Sequence, residues 1–169
     1  MVYIKNIDDG FLSRLSANID VGYTLAKTNN QQQFNSNFRV GYLSNKWSLN
    51  IYLNSLLTYQ DVENLEDVRR VESGIGYRYF LPNDYYLSTD LTFLSNTEQS
   101  LDLRTTGKIG VGNYIIHTNK SYWGLGTGLS VNNESFNLVS SENADSLYKR
   151  DSYEGYITTE LNLYDIGDF

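Results

Sequence analysis

The sequence predicts an all-β chain, an antiparallel up-and-down transmembrane β-barrel of about eight strands. Three observations predict it. Apolar and polar residues alternate with period two in eight successive stretches. Every second connection between those stretches is short. The polar face of the alternation holds the glycines and the charges, while the apolar face holds most of the aromatic rings.

The first stretch, 15–26, sets Leu15, Ala17, Ile19, Val21, Tyr23 and Leu25 against Ser16, Asn18, Asp20, Gly22 and Thr24. No helical period fits such a run, because a helix returns to one face every three to four residues and a strand every two. In 34–43, Phe34, Phe38, Val40 and Tyr42 oppose Asn35, Asn37, Arg39 and Gly41. In 47–59, Trp47, Leu49, Ile51, Leu53, Leu57 and Tyr59 oppose Ser48, Asn50, Asn54 and Thr58, with Tyr52 and Leu56 breaking the pattern. The stretch 70–81 sets Val71, Ile75, Tyr77, Tyr79 and Leu81 against Arg70, Glu72, Gly74, Gly76 and Arg78. The remaining four are 85–94 (Leu87, Leu91 and Phe93 against Ser88, Asp90 and Thr92), 102–116, 122–135 and 152–164. These strands are longer than the roughly 5–6 residues usual in globular sheets.

Short turns are expected at Ser44–Lys46, Leu81–Asp84 and His117–Lys120, and longer links at 28–33, 61–69, 95–100 and 137–149. Pro82 is the single proline and falls in a turn, where its missing N–H removes no ladder bond. Nothing in the 169 residues marks a linker, so residues 1–169 read as one domain.

Alternation alone does not say which face is inside. The apolar face carries Tyr23, Phe34, Phe38, Tyr42, Trp47, Tyr59, Tyr77, Tyr79, Tyr85, Phe93 and Trp123, too much volume for an eight-stranded bore that side chains just fill. Nine glycines lie on the polar face, at 22, 41, 74, 76, 110, 112, 124, 126 and 128, where small residues suit a crowded interior. The same face carries the charges expected to point inward and pair: Asp20, Arg39, Arg70, Glu72, Arg78, Asp90, Arg104, Lys108, Glu154 and Glu160. Facing lipid, a mid-depth Arg or Lys costs about 2–4 kcal/mol. The apolar face is therefore expected to meet lipid, with aromatic girdles at the strand ends. Lipid also demands that every backbone group be paired, so the sheet is expected to close.

The chemistry that composition permits is narrow. The net charge of −7 argues against a nucleic-acid partner. With no Cys and one His, His117, the chain offers no thiolate site, no His-rich metal site and no support for a hydrolase triad. No catalytic, cofactor-binding or metal-binding residue is expected, and no enzyme. Gly107, Gly110 and Gly112 mimic a dinucleotide-binding spacing but sit inside a strand pattern with no following helix. The acidic stretch Asp61, Glu63, Glu66, Asp67 lacks the spacing of a calcium loop and reads as solvated. Arg78 and Asp90 flank the Pro82 turn and are expected to form a structural ion pair, Gly76 standing directly opposite Asp90. The opening Met1-Val-Tyr-Ile-Lys5 has no signal-like stretch. The expectation is a chain parted from its signal segment, which either closes with strands beyond the eight in the native protein or closes as a smaller barrel.

Within this frame, Tyr85-Tyr-Leu-Ser-Thr-Asp-Leu-Thr-Phe93, then Leu101-Asp-Leu-Arg104, then Gly107-Lys-Ile-Gly-Val-Gly112 resemble a family of salt-induced outer-membrane proteins whose domain is of unknown function. Asp20-Val-Gly-Tyr-Thr-Leu-Ala-Lys-Thr-Asn-Asn30, the Lys46-Trp47 strand start and Arg78-Tyr-Phe-Leu81 fit the same family, so the likeness covers roughly residues 12–136. The resemblance implies a bacterial outer-membrane location, a cleaved signal peptide, a link to osmotic stress and no established catalytic residues. Membrane lipid is the expected partner, and the sequence leaves protein partners open. The expected role is structural, in the envelope. Two alternatives stand beside it: a narrow channel for ions or small solutes, and a soluble barrel that binds lipids or small molecules.

Overall fold

A computed structural model of the chain describes residues 10–26, 31–60, 67–118, 121–138 and 146–163. The opening stretch, Asp61, Glu63 and Glu66 of the acidic loop, and the tip of the 137–149 link lie outside the described residues. A turn of 3-10 helix, Phe11–Arg14, leads into β1 (Leu15–Ala26), followed by β2 (Gln31–Leu43), β3 (Trp47–Gln60) and β4 (Val68–Phe80). The chain continues through β5 (Tyr85–Asn96), β6 (Leu101–His117), β7 (Ser121–Leu138) and β8 (Ser146–Leu163), with a short 3-10 turn at Thr97–Gln99.

All eight strands form one sheet in sequence order, and each consecutive pair is antiparallel. This is the meander that the alternation and the short turns imply. The sheet is open, with β1 and β8 as its two edges, where the sequence led us to expect closure.

The strands also run further than the apolar alternation does. β7 and β8 were expected at 122–135 and 152–164, yet their ladder continues to Leu138 opposite Ser146. Beyond Ser135 the ladder pairs Phe136 with Tyr148, ring centroids 6.2 Å apart, and at its foot Asn133 Nδ2 donates to Asp151 Oδ1 at 2.6 Å. An alternation count stops where its phase breaks, and Phe136 and Leu138 fall on the opposite phase from Leu129 and Val131.

The β4–β5 turn shows why it is tight. Asn83 and Asp84 both have positive φ, 61° and 60°, the pattern of a type I′ hairpin turn. Asn and Asp tolerate that left-handed region better than other non-glycine residues. Asp84 then anchors the turn to β6: its carbonyl accepts from Tyr114 N at 2.9 Å, and its Oδ1 lies 3.0 Å from His117 Nδ1.

A register shift between Tyr114 and Ile116 puts one extra residue in β6. Ile115 and Ile116 are both exposed as a result, and the facing of the strand flips. Tyr114 and His117 thereby approach each other, ring centroids 5.6 Å apart.

Two faces of the sheet differ sharply. Among the described residues the buried apolar side chains are Tyr86 and Leu101, at 4% and 2% exposure, while Ile19, Ile109 and Leu129 are 68%, 62% and 66% exposed. The buried polar set includes Thr58, Ser130, Asn132 and Glu134. The sheet also curls. In a flat sheet β4 and β8 are four strand spacings, roughly 19 Å, apart. Arg78 of β4 nonetheless lies 3.5 Å from Glu160 of β8. The face bearing Arg78 and Glu160 is therefore concave, and the exposed aliphatic face is convex.

Candidate functional site

Polar side chains from many strands converge on the concave face, where they alternate along each strand with the exposed aliphatics. Its tight-turn half is organised by Arg78. The guanidinium donates to Tyr114 Oη at 2.7 Å, reaches Glu160 at 3.5 Å and lies 4.6 Å from the centre of the Tyr86 ring. Tyr122 Oη donates a short hydrogen bond to the other oxygen of Glu160. Tyr114 packs against Tyr86 at 5.0 Å and edge-on against Tyr122 at 5.6 Å. Five strands, β4 to β8, thus contribute one side chain each to a single hydrogen-bonded and stacked cluster. Beside it a recess of about 870 Å³ is bounded by Ser16, Gly41, Asn50, Arg78, Tyr114 and Tyr122.

The other half is wetter and less connected. Asp20, Arg39, Asn54, Arg70 and Glu72 line a recess of about 540 Å³. Arg70 and Glu72 are 3.5 Å apart on the same strand, a long contact between side chains with solvent access. Tyr52 Oη donates to Glu72 Oε1 at 3.2 Å and lies 3.5 Å from Thr92 Oγ1. Asp20 accepts from Asn18 Nδ2 at 3.0 Å. Arg39 lines the recess and is exposed.

The remaining charges fall between or above these recesses. Asp90 stands directly opposite Lys108 on β6. The expected Arg78–Asp90 ion pair is not what forms. Gly76 does face Asp90, as the turn implied, but the Asp90 carboxylate folds over that glycine, where an added Cβ would lie 2.7 Å from Oδ1. Arg78 points instead toward the rim, where Tyr114 and Glu160 supply better-placed acceptors. Lys108 sits 5.7 Å from the Tyr156 ring centre. Arg104 Nε pairs with Glu134 Oε1 at 2.6 Å, and the Glu134 side chain is the more enclosed partner. Glu154 accepts from Asn132 Nδ2 at 2.9 Å, and Asn132 in turn accepts from Thr106 Oγ1 at 2.7 Å. Among the described residues, no group of three acidic or His side chains is placed to hold a metal ion.

Sequence reasoning missed the inner tyrosines, Tyr52, Tyr86, Tyr114, Tyr122 and Tyr156, and the buried Glu134. A signal was present. Four of those tyrosines stand directly opposite a glycine on the next strand: Tyr52 opposite Gly74, Tyr86 opposite Gly112, Tyr114 opposite Gly124 and Tyr156 opposite Gly128. In each case the ring lies where the glycine's Cβ would be, at 2.6 Å for Gly74 and 3.2 Å for Gly124. Glycine there makes a socket and the opposing ring covers the bare backbone. Such an arrangement gives binding surface and rigidity.

No curated protein and no solved structure matches the chain. Residues 19–165, from the middle of β1 past the end of β8, match a family described as a protein of unknown function, DUF481, and the chain belongs to that family.

Proposed function

We propose that the chain is a β-barrel of a bacterial outer membrane, with its convex apolar face in lipid, its interior filled by polar side chains, and a structural role in the envelope. The observation that carries this reading is the inverted burial: aliphatic residues such as Ile19, Ile109 and Leu129 are largely exposed while Ser130, Asn132 and Glu134 are buried. A contiguous apolar surface of that extent is unusual on a soluble monomer. In lipid it is the surface that the solvent requires. Aromatic rings support the reading. At the tight-turn end Phe11, Tyr42, Trp47 and Tyr77 form a chain of ring contacts at 5.2, 5.0 and 6.1 Å. Trp47 and Tyr59 lie at opposite ends of β3, about 40 Å apart along the strand and about 30 Å along the axis at a barrel's usual tilt. That spacing brackets an apolar band of membrane height. The salt-stress association belongs to the resemblance alone. In this reading the tight turns face the periplasm and the longer loops the exterior.

The test is refolding into detergent micelles and into plain buffer, followed by circular dichroism and by heat-modifiable migration in gels. β-Structure and a heat-dependent mobility shift only with detergent are the expected result. A folded, monodisperse protein in buffer overturns the membrane assignment.

A narrow channel is the second reading, favoured by the two recesses of about 540 and 870 Å³ along the polar face. Single-channel recording in planar bilayers distinguishes it from a filled barrel. A soluble carrier needs apolar side chains inside, and the side chains that meet across the curl are polar.

A further inference from the structure

We propose that β1 and β8 of the same chain pair with each other, Leu15–Ala26 running antiparallel to Ser152–Leu163, to close an eight-stranded barrel of shear eight. The inference rests on the barrel reading above and fixes what that reading leaves open: which strands close it, and in what register.

The curl comes first. In a closed barrel of eight strands, β4 and β8 are diametrically opposite. Arg78 and Glu160 already meet across the concave side at 3.5 Å. An eight-stranded bore is just wide enough for side chains to fill, and a wider barrel holds opposite strands beyond such contact. The recess beside Arg78 is bounded by Ser16 of β1 as well as Tyr122 of β7, so both flanks of the sheet already surround one cavity.

The stagger of the strands sets the register. A track followed pair by pair across the ladders from Leu15 passes Tyr42, Tyr77 and Ile109 and ends at Gly155. Gly155 is eight residues short of Leu163, the end of β8. Pairing the whole of β1 with the part of β8 on that side places Leu15 opposite Leu163 and Ala26 opposite Ser152. The track then returns to β1 at Tyr23, a shear of eight. For eight strands this gives a tilt of about 35° and a shear of ten about 41°, both within the barrel range, while a shear of six gives about 27°, outside it.

The side chains select the same register independently. Tyrosine stands directly opposite glycine at four places in the existing ladders. In the proposed register Tyr23 falls opposite Gly155 on the same rule, while Gly22, opposite Tyr156, is already covered by Asn35. An added Cβ at Gly155 meets nothing within 4 Å, so its surface is open to a covering ring. Shifting by two residues either way loses that match. A shear of ten also sets Asp20 against Glu160, whereas a shear of eight sets Asn18 there, a donor facing a carboxylate.

The chain has no cysteine, so engineered pairs report without background. Double variants Val21→Cys/Ile157→Cys, Val21→Cys/Thr159→Cys and Val21→Cys/Gly155→Cys sample the proposed register and its two-residue shifts. Each is treated with a short thiol-bridging reagent, in detergent micelles and in buffer. The expected result is a bridge within one chain, severalfold faster for Val21/Ile157 than for either shifted pair. Faster bridging of a shifted pair, bridges only between chains, or no bridge in any pair overturns the proposal. A Val21/Ile157 bridge in a protein folded without detergent keeps the register and sinks the membrane assignment, so the two failures are distinguishable.

Discussion

Arg78 shows how one residue organises a concave face built of polar side chains. Its guanidinium satisfies Tyr114 and Glu160 and stacks on Tyr86, linking strands that are not neighbours in the sheet. Arg78→Ala removes two charge-assisted contacts and leaves Glu160 with Tyr122. The expected loss is about 1.5–3 kcal/mol of unfolding free energy, read by denaturant titration of the micelle-folded protein. On the channel reading, the same variant conducts in planar bilayers at levels the parent does not reach. Gly74 makes a different point. A Cβ there would lie 2.6 Å from the Tyr52 ring, so the ring must swing away and release Glu72. Gly74→Ala should cost about 1–3 kcal/mol, and most of that cost should vanish in a Tyr52→Ala background, a coupling that a double-mutant cycle measures directly.

At the scale of elements, the parts legible in the sequence are those governed by a single periodicity. β1 runs from Leu15 to Ala26, as the alternation placed it, because one of its faces is apolar without interruption. Tyr52 broke the pattern of β3 for a reason that only the neighbouring strand reveals: it sits on the polar face over Gly74. The Arg78 partner was illegible too. Cross-strand spacing about the Pro82 turn offers Asp90, whereas Glu160 becomes available only through a curl that brings β8 across to β4. The bulge at Ile115 was hidden because two consecutive isoleucines satisfy either phase of the alternation. The β4–β5 turn, by contrast, depends on local chemistry. Asn83→Ala keeps a β-carbon in the left-handed region and removes the side-chain amide that offsets it. A loss of about 1 kcal/mol is expected, measurable as a lower denaturation midpoint, and Asn83→Gly should restore it.

The whole molecule is defined by which solvent its convex face meets, and a single charge can ask that question. Ile109 lies mid-strand on β6 and is 62% exposed. Were water its solvent, Ile109→Arg would be nearly neutral, because an exposed surface position tolerates a long charged side chain. In lipid the same change places a guanidinium near the midplane of the apolar band, at a cost of about 2–4 kcal/mol. Tyr148 provides the control of depth. It is also exposed, but it lies on the stretch of β8 that extends past the end of β1 in the closing register. Tyr148→Arg should cost no more than about 1 kcal/mol, because the penalty falls toward the interface. Unfolding free energies of the two variants in lipid vesicles should therefore separate by about 2 kcal/mol, with Ile109→Arg the weaker. Equal, near-zero costs at both positions would place the convex face in water and leave the exposed aliphatic belt without its solvent.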